Sequence, residues 1–88
     1  MTQEEISNLY DKISHTLYGF KSYHCWYFCC NEEWDNNSLY FEVHVTSDQG
    51  EGSEWIEYWS IDKCGRIYSE DTIYESYEEF LREWGCNI

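Results

Sequence analysis

What this chain has least of is positive charge. Its 88 residues hold 5 Lys and Arg against 18 Asp and Glu, a formal net charge of −13. That shortage excludes direct binding to nucleic acid, whose affinity comes from neutralising phosphates with Lys and Arg. Adhesion to anionic membranes is excluded on the same ground. No apolar run approaches the ~20 residues that span a bilayer. The residues Met1 to Glu5 are acidic and polar, where a secretory signal would be basic and then apolar. These absences predict a soluble, cytoplasmic protein with no membrane partner.

Catalytic motifs are missing too. There is no Gly-rich phosphate loop, no Gly-x-Ser-x-Gly and no His-Glu-x-x-His. His24 and Cys25 are neighbours on a strand and so face opposite ways, the wrong geometry for a base and its nucleophile. The expectation is a protein that is not an enzyme and carries no cofactor. Leucine and valine are also few, with four Leu and two Val, and there is no Ala. The aromatics, 20% of the chain, must therefore build much of the core. At 42% hydrophobic the chain is too apolar for a disordered acidic tail. Its length supports one domain, residues 1–88, hiding only about 60–65% of its unfolded surface.

Five cysteines are present. With no export signal a disulfide scaffold is not expected. Cys25 and Cys29 would lie about 13 Å apart along a strand at ~3.3 Å per residue, beyond disulfide reach. Reduced thiols acting as small apolar residues are the expected role. His24 and His44 near Cys25, Cys29 and Cys30 leave a small metal-binding domain as an alternative. Structural zinc sites show two ligand pairs, however, and Cys64 and Cys86 stand alone. No metal ligand is assigned.

The elements follow from periodicity. Thr2 with Glu5 is a capping box, and Ile6, Leu9, Tyr10, Ile13 and Leu17 draw one helical stripe that Gly19 would end in the left-handed region. Tyr23 to Cys30 is apolar throughout, which predicts a strand covered on both faces. Asn31–Asn37 reads as a polar loop. Leu39–Thr46 alternates as a strand, with Leu39, Phe41, Val43 and Val45 on one face. After a turn over residues 47–52, Glu54–Ile61 is the third strand. Asp62–Gly65 makes a hairpin with Gly65 left-handed, and Arg66–Ser69 returns. Ser76 with Glu79 repeats the capping box before Tyr77, Phe80, Leu81 and Trp84, and Gly85 closes that helix. The prediction is an α+β domain in the order helix, four antiparallel strands, helix (αββββα), with both helices on one face.

Residues 1–30 carry three acids and two bases, while residues 31–88 carry fifteen acids and three bases. The excess falls in clusters: Glu32, Glu33 and Asp35 around Trp34; Asp48, Glu51, Glu54 and Glu57; and a C-terminal set with Glu70, Asp71, Glu75, Glu78, Glu79 and Glu83. The helix macrodipole accounts for acids in a first turn. It does not account for Glu83, which extends the ladder from Glu75 and Glu79 to the negative end. A charge magnitude of roughly 2–8 already keeps a small domain soluble, so a cationic partner is the better explanation of the surplus. The candidate contact residues are Glu32, Glu33, Trp34, Asp35, Asp48, Glu51, Glu54, Glu57, Glu75, Glu79 and Glu83. Trp55 and Trp59 are expected in the core. Strands this aromatic also leave a homodimer open.

In size, acidity and aromatic content the whole chain resembles the small phage-encoded inhibitors of host nucleases, including anti-CRISPR proteins and DNA mimics. The resemblance is one of type and transfers no residue. It implies a stoichiometric inhibitor that occupies a basic nucleic-acid-binding surface of a defence nuclease complex. A second likeness covers Tyr58 to Trp84. There Trp59-Ser60-Ile61-Asp62-Lys63-Cys64-Gly65-Arg66-Ile67-Tyr68 followed by Ser76-Tyr77-Glu78-Glu79-Phe80-Leu81 is similar to the ending of SUKH-type bacterial immunity proteins. That likeness implies an immunity or antitoxin protein as the alternative.

Overall fold

A computed structural model describes residues 1–20, 25–48 and 54–85. Helix α1 spans Gln3–Gly19, opened by the expected reciprocal cap. The Thr2 hydroxyl accepts the Glu5 N–H at 3.1 Å, and the Glu5 carboxylate accepts the Thr2 N–H at 2.8 Å. Its end differs from expectation. Gly19 is the last helical residue, and the cap is Phe20 in an extended conformation. The Phe20 ring packs edge-on against Tyr27 and Trp84, which draws the chain toward the sheet without a left-handed turn.

Five strands follow as an antiparallel meander in the order β1-β2-β3-β4-β5: Cys25–Asp35, Ser38–Ser47, Glu54–Ile61, Ile67–Tyr68 and Ile73–Tyr74. Helix α2, Tyr77–Trp84, ends the described chain. The α+β class and the all-antiparallel sheet are as expected, with one strand more than the four read from the sequence. The extra strand, β5, is two residues long, too short to leave a periodic signature.

The polar stretch after Cys30 is also strand rather than loop. Cys30 pairs with Glu42 and Glu33 with Tyr40, so two residues of β1 stand opposite one of β2. This is a bulge, and Asn31 adopts it with a left-handed φ of 57°. The strand then runs on to a two-residue turn, Asn36-Asn37, with both residues at positive φ (51° and 64°). That is the geometry whose twist matches a tight hairpin. At the β3–β4 turn Gly65 takes the expected left-handed conformation, φ 87°, with the Met1 side chain over it.

Both helices lie on one face of the sheet. Ile6, Ile13 and Leu17 of α1 and Phe80 of α2 pack there against Leu39, Phe41, Val43, Val45, Trp59, Ile61 and Ile67. Trp59 is 2% exposed, as expected of a core residue. Trp55, expected beside it, is 44% exposed. Ser76 caps α2 through the Glu79 N–H, but the Glu79 carboxylate reaches back to Glu75 N, one residue short of closing the box. Gly85 caps the helix in a right-handed conformation, φ −95°.

One-sided burial makes a direct prediction. Phe80→Ala removes a fully buried ring and should lower stability by about 3–5 kcal/mol. Tyr58→Ala, on the opposite face, should stay within about 0.5 kcal/mol of wild type. Urea unfolding of the two variants checks the contrast, and similar losses for both would contradict the assignment of faces.

Candidate functional site: the uncovered sheet face

Strand alternation decides what the second face displays. Trp26, Phe28 and Cys30 of β1 stand beside Thr46, His44 and Glu42 of β2, which stand beside Glu54, Ile56 and Tyr58 of β3. Tyr40, Ser60, Tyr68 and Ile73 continue the surface toward β5. Trp26, Phe28, Tyr40, Ile56, Tyr58 and Ile73 each expose between 44 and 65% of their surface. The first strand, expected to be covered on both faces, is thus covered on one. At strand spacings of about 4.8 Å this face extends over a few hundred Å², the size at which an exposed apolar patch usually marks an interaction site.

The face has a polar centre. His44 Nε2 lies 2.8 Å from Glu42 Oε1, and Asn31 Nδ2 donates to the same oxygen at 2.9 Å. These bonds hold the Glu42 carboxyl below its ordinary value. Cys30, cross-strand from Glu42, completes the group. Burial and then the Glu42 and Glu32 carboxylates push its thiol up.

The acidic residues divide by location. Glu33 and Glu54 are exposed and stand on the aromatic face, opposite Tyr40 and Thr46 respectively. Trp34 and Asp35 are exposed at the β1–β2 hairpin end, and Asp48 is exposed just past β2. Glu51 lies outside the described residues. Other acids serve the fold. The bulge turns Glu32 toward α1, where it accepts the Tyr10 hydroxyl at 2.7 Å. Glu57 points to the helix side and accepts the indole N–H groups of both Trp55 and Trp59 at 2.9 Å. Glu83 accepts the Tyr74 hydroxyl at 2.6 Å, which accounts for an acid at the negative end of α2. Glu75 pairs with Arg66 at 2.8 Å, and Glu79 caps α2. The helix ladder Glu75-Glu79-Glu83 therefore belongs to an element packed against the sheet's other face. So do Ser76 to Leu81, the second half of the immunity-protein likeness, whose first half, Trp59–Tyr68, is the β3–β4 hairpin of the sheet itself.

Trp26, Phe28, Tyr40 and Ile56 were not among the residues singled out from the sequence, whereas Tyr58 is offered there as a candidate interface anchor. The signal was present, because two helices on one face leave the other uncovered. Trp26 and Phe28 alternate with Cys25, Tyr27 and Cys29, which face the helices. Among the described residues Cys25, Cys29, Cys30 and Cys64 are free thiols, and burial pushes Cys29 up to about 12. No helix among the described residues is long and apolar enough to cross a membrane.

The Tyr10–Glu32 bond gives a pH signature. The Tyr10 hydroxyl holds Glu32 below its ordinary value of 4.5, so its contribution is present above that value and is lost as pH falls through the lowered one. Glu32 is largely solvated, which limits the bond to about 1 kcal/mol or less. Tyr10→Phe should lose that amount at neutral pH. The gap to wild type should close as pH drops from about 5 to about 3. Urea unfolding at stepped pH tests this, and a gap independent of pH would assign the loss to packing. Comparison with known protein families, curated proteins and solved structures finds no match for this chain.

Proposed function

We propose that this protein is a stoichiometric inhibitor that docks its uncovered sheet face onto a basic, nucleic-acid-binding surface of a host defence nuclease complex, in the manner of anti-CRISPR proteins. The observation that carries the reading is the aromatic face itself, uncovered by either helix or any other element among the described residues, in a chain of net charge −13. A surface that normally holds a phosphate backbone is lined with Arg and Lys. Arg is the cation best suited to this face. Its guanidinium can stack on Trp26, Phe28 or Tyr58, worth about 0.5–2 kcal/mol per contact. At the same time it can form forked bonds to Glu33, Glu42 or Glu54. The remaining exposed acids steer the approach and make it sensitive to salt. Exposed tryptophan and tyrosine are the residue types that anchor interfaces.

The test is functional. The chain is expressed in bacterial strains that each carry one active CRISPR or restriction system, and a targeted phage is plated on each. Plating should be restored in at least one strain, and Phe28→Ala with Tyr58→Ala should abolish the rescue. With the purified target complex the same pair should weaken binding by about 30-fold or more, and binding should weaken steeply with salt. Rescue that ignores the paired substitution, or binding indifferent to ionic strength, would sink the reading. Self-association through the same face would show as a dimer whose mass shifts to monomer in the paired variant, and would equally count against it.

A further inference from the structure

We propose that Cys30, Glu42 and His44 form a binding site for one borderline transition-metal ion, with zinc as the ion their donor set suits. This site lies within the aromatic face and shares Glu42 with it, but it does not depend on the inhibitor reading and is measurable without any partner. Three different donors, a sulfur, a carboxylate oxygen and an imidazole nitrogen, lie within 4.8 Å of one another, and each residue is half-buried. Their positions are fixed by the sheet. Glu42 and His44 are two residues apart on β2 and so share a face, and Cys30 is the cross-strand partner of Glu42.

The chemistry favours zinc over the hard cations. Calcium and magnesium require oxygen cages, whereas thiolate with imidazole selects zinc and its neighbours. Zinc distances of about 2.3 Å to sulfur and 2.0–2.2 Å to nitrogen or oxygen imply donor separations of roughly 3.3–3.6 Å. Cys30 needs to close in by up to about 1.5 Å, and the Glu42–His44 pair to part slightly, changes within the reach of side-chain rotation. A second shell is already built. Asn31, held at the bulge, donates to the Glu42 carboxylate at 2.9 Å, the kind of bond that orients a metal ligand. The local field also favours a cation, since β1, β2 and β3 contain no Lys or Arg. Three protein donors leave a fourth position open off the sheet, for water or a partner's side chain.

The full chain, reduced and stripped of metal, is titrated with Zn²⁺ and separately with Co²⁺. One equivalent should bind, and cobalt should add a thiolate-to-metal charge-transfer absorption. Cys30→Ser should remove that absorption. Cys30→Ser and His44→Ala should each weaken zinc by more than about 10-fold, with Cys64→Ser unchanged. Asn31→Gly keeps the left-handed backbone but deletes the amide, and should cost about 10-fold while retaining the cobalt spectrum. In the unaltered chain, zinc should protect Cys30 but not Cys64 from alkylation, a readout that needs no variant to fold. Absence of saturable binding, a cobalt spectrum without sulfur, or alkylation of Cys30 at an unchanged rate would overturn the site.

Discussion

Both helices pack on the same side of the five-stranded sheet, and that one-sided burial organises the molecule. Every fully buried large side chain sits on the helix side: Ile6, Ile13 and Leu17 from α1, Phe80 from α2, and the inward members of the strands. The hydrophobic effect acts on the area removed from water, so the outer positions are released from packing. Selection for stability alone would fill them with polar residues, as antiparallel sheets with one wet face usually do. Here they hold Trp26, Phe28, Tyr40, Ile56 and Tyr58. Their exposure on a solvated face is the observation on which the proposed contact with another molecule rests.

The same constraint links the aromatic content to the acidity. The core mixes its Ile, Leu and Val side chains with Tyr10, Trp59 and Tyr74, and each of these three brings an O–H or N–H that must be satisfied when buried. Carboxylates supply the acceptors. Tyr10 donates to Glu32, Trp59 to Glu57, Tyr68 to Asp62 and Tyr74 to Glu83, while Trp84 donates to Tyr74. Burial and the Glu83 carboxylate push the Tyr74 hydroxyl up to about 12, so it stays a donor. Among the described residues no buried side-chain nitrogen or oxygen is left without a partner. Part of the negative charge is therefore structural, and only the remainder, including Glu33 and Glu54, is available to a partner on the aromatic face.

How far the fold was legible follows from where periodicity is intact. Leu39–Thr46 alternates without interruption, and Glu54–Ile61 has flanks that read clearly, so both strands were evident. The stripe of α1 was as plain. Asn31 defeated the reading of β1, because a bulge adds one residue and reverses the alternation, leaving Asn-Glu-Glu-Trp-Asp to look like a loop. In Trp55-x-Glu57-x-Trp59 the sheet period places all three residues on one face. The carboxylate there serves two indoles, a role that charge counting could not distinguish from solvent exposure. The exposed aromatic face was missed for a different reason. Tyr23–Cys30 is apolar at every position, and an apolar run alone cannot tell a strand buried on both sides from one that is bare on one. Only the placement of both helices on the same side decides it.

That bare face is not uniformly apolar, and its centre bears on how it works. An interface built for hydrophobic burial would place its largest apolar residues in the middle, where desolvation is most complete, and its polar groups at the rim. The order here is reversed. Glu42 and His44 occupy β2, the middle of the three long strands, with Cys30 across from Glu42 and the aromatics around them. A charged group at the centre of a closed interface costs several kcal/mol unless it is paired. The occupant of this face must therefore neutralise the centre, by a guanidinium reaching in between the rings or by an ion held beforehand by the protein. On the proposed reading the centre sets specificity either way: a purely apolar partner would bury the Glu42 carboxylate with only Asn31 and His44 to answer its charge. In that proposal the ring of aromatics supplies contact area, and the carboxylate within it selects which partner uses that area.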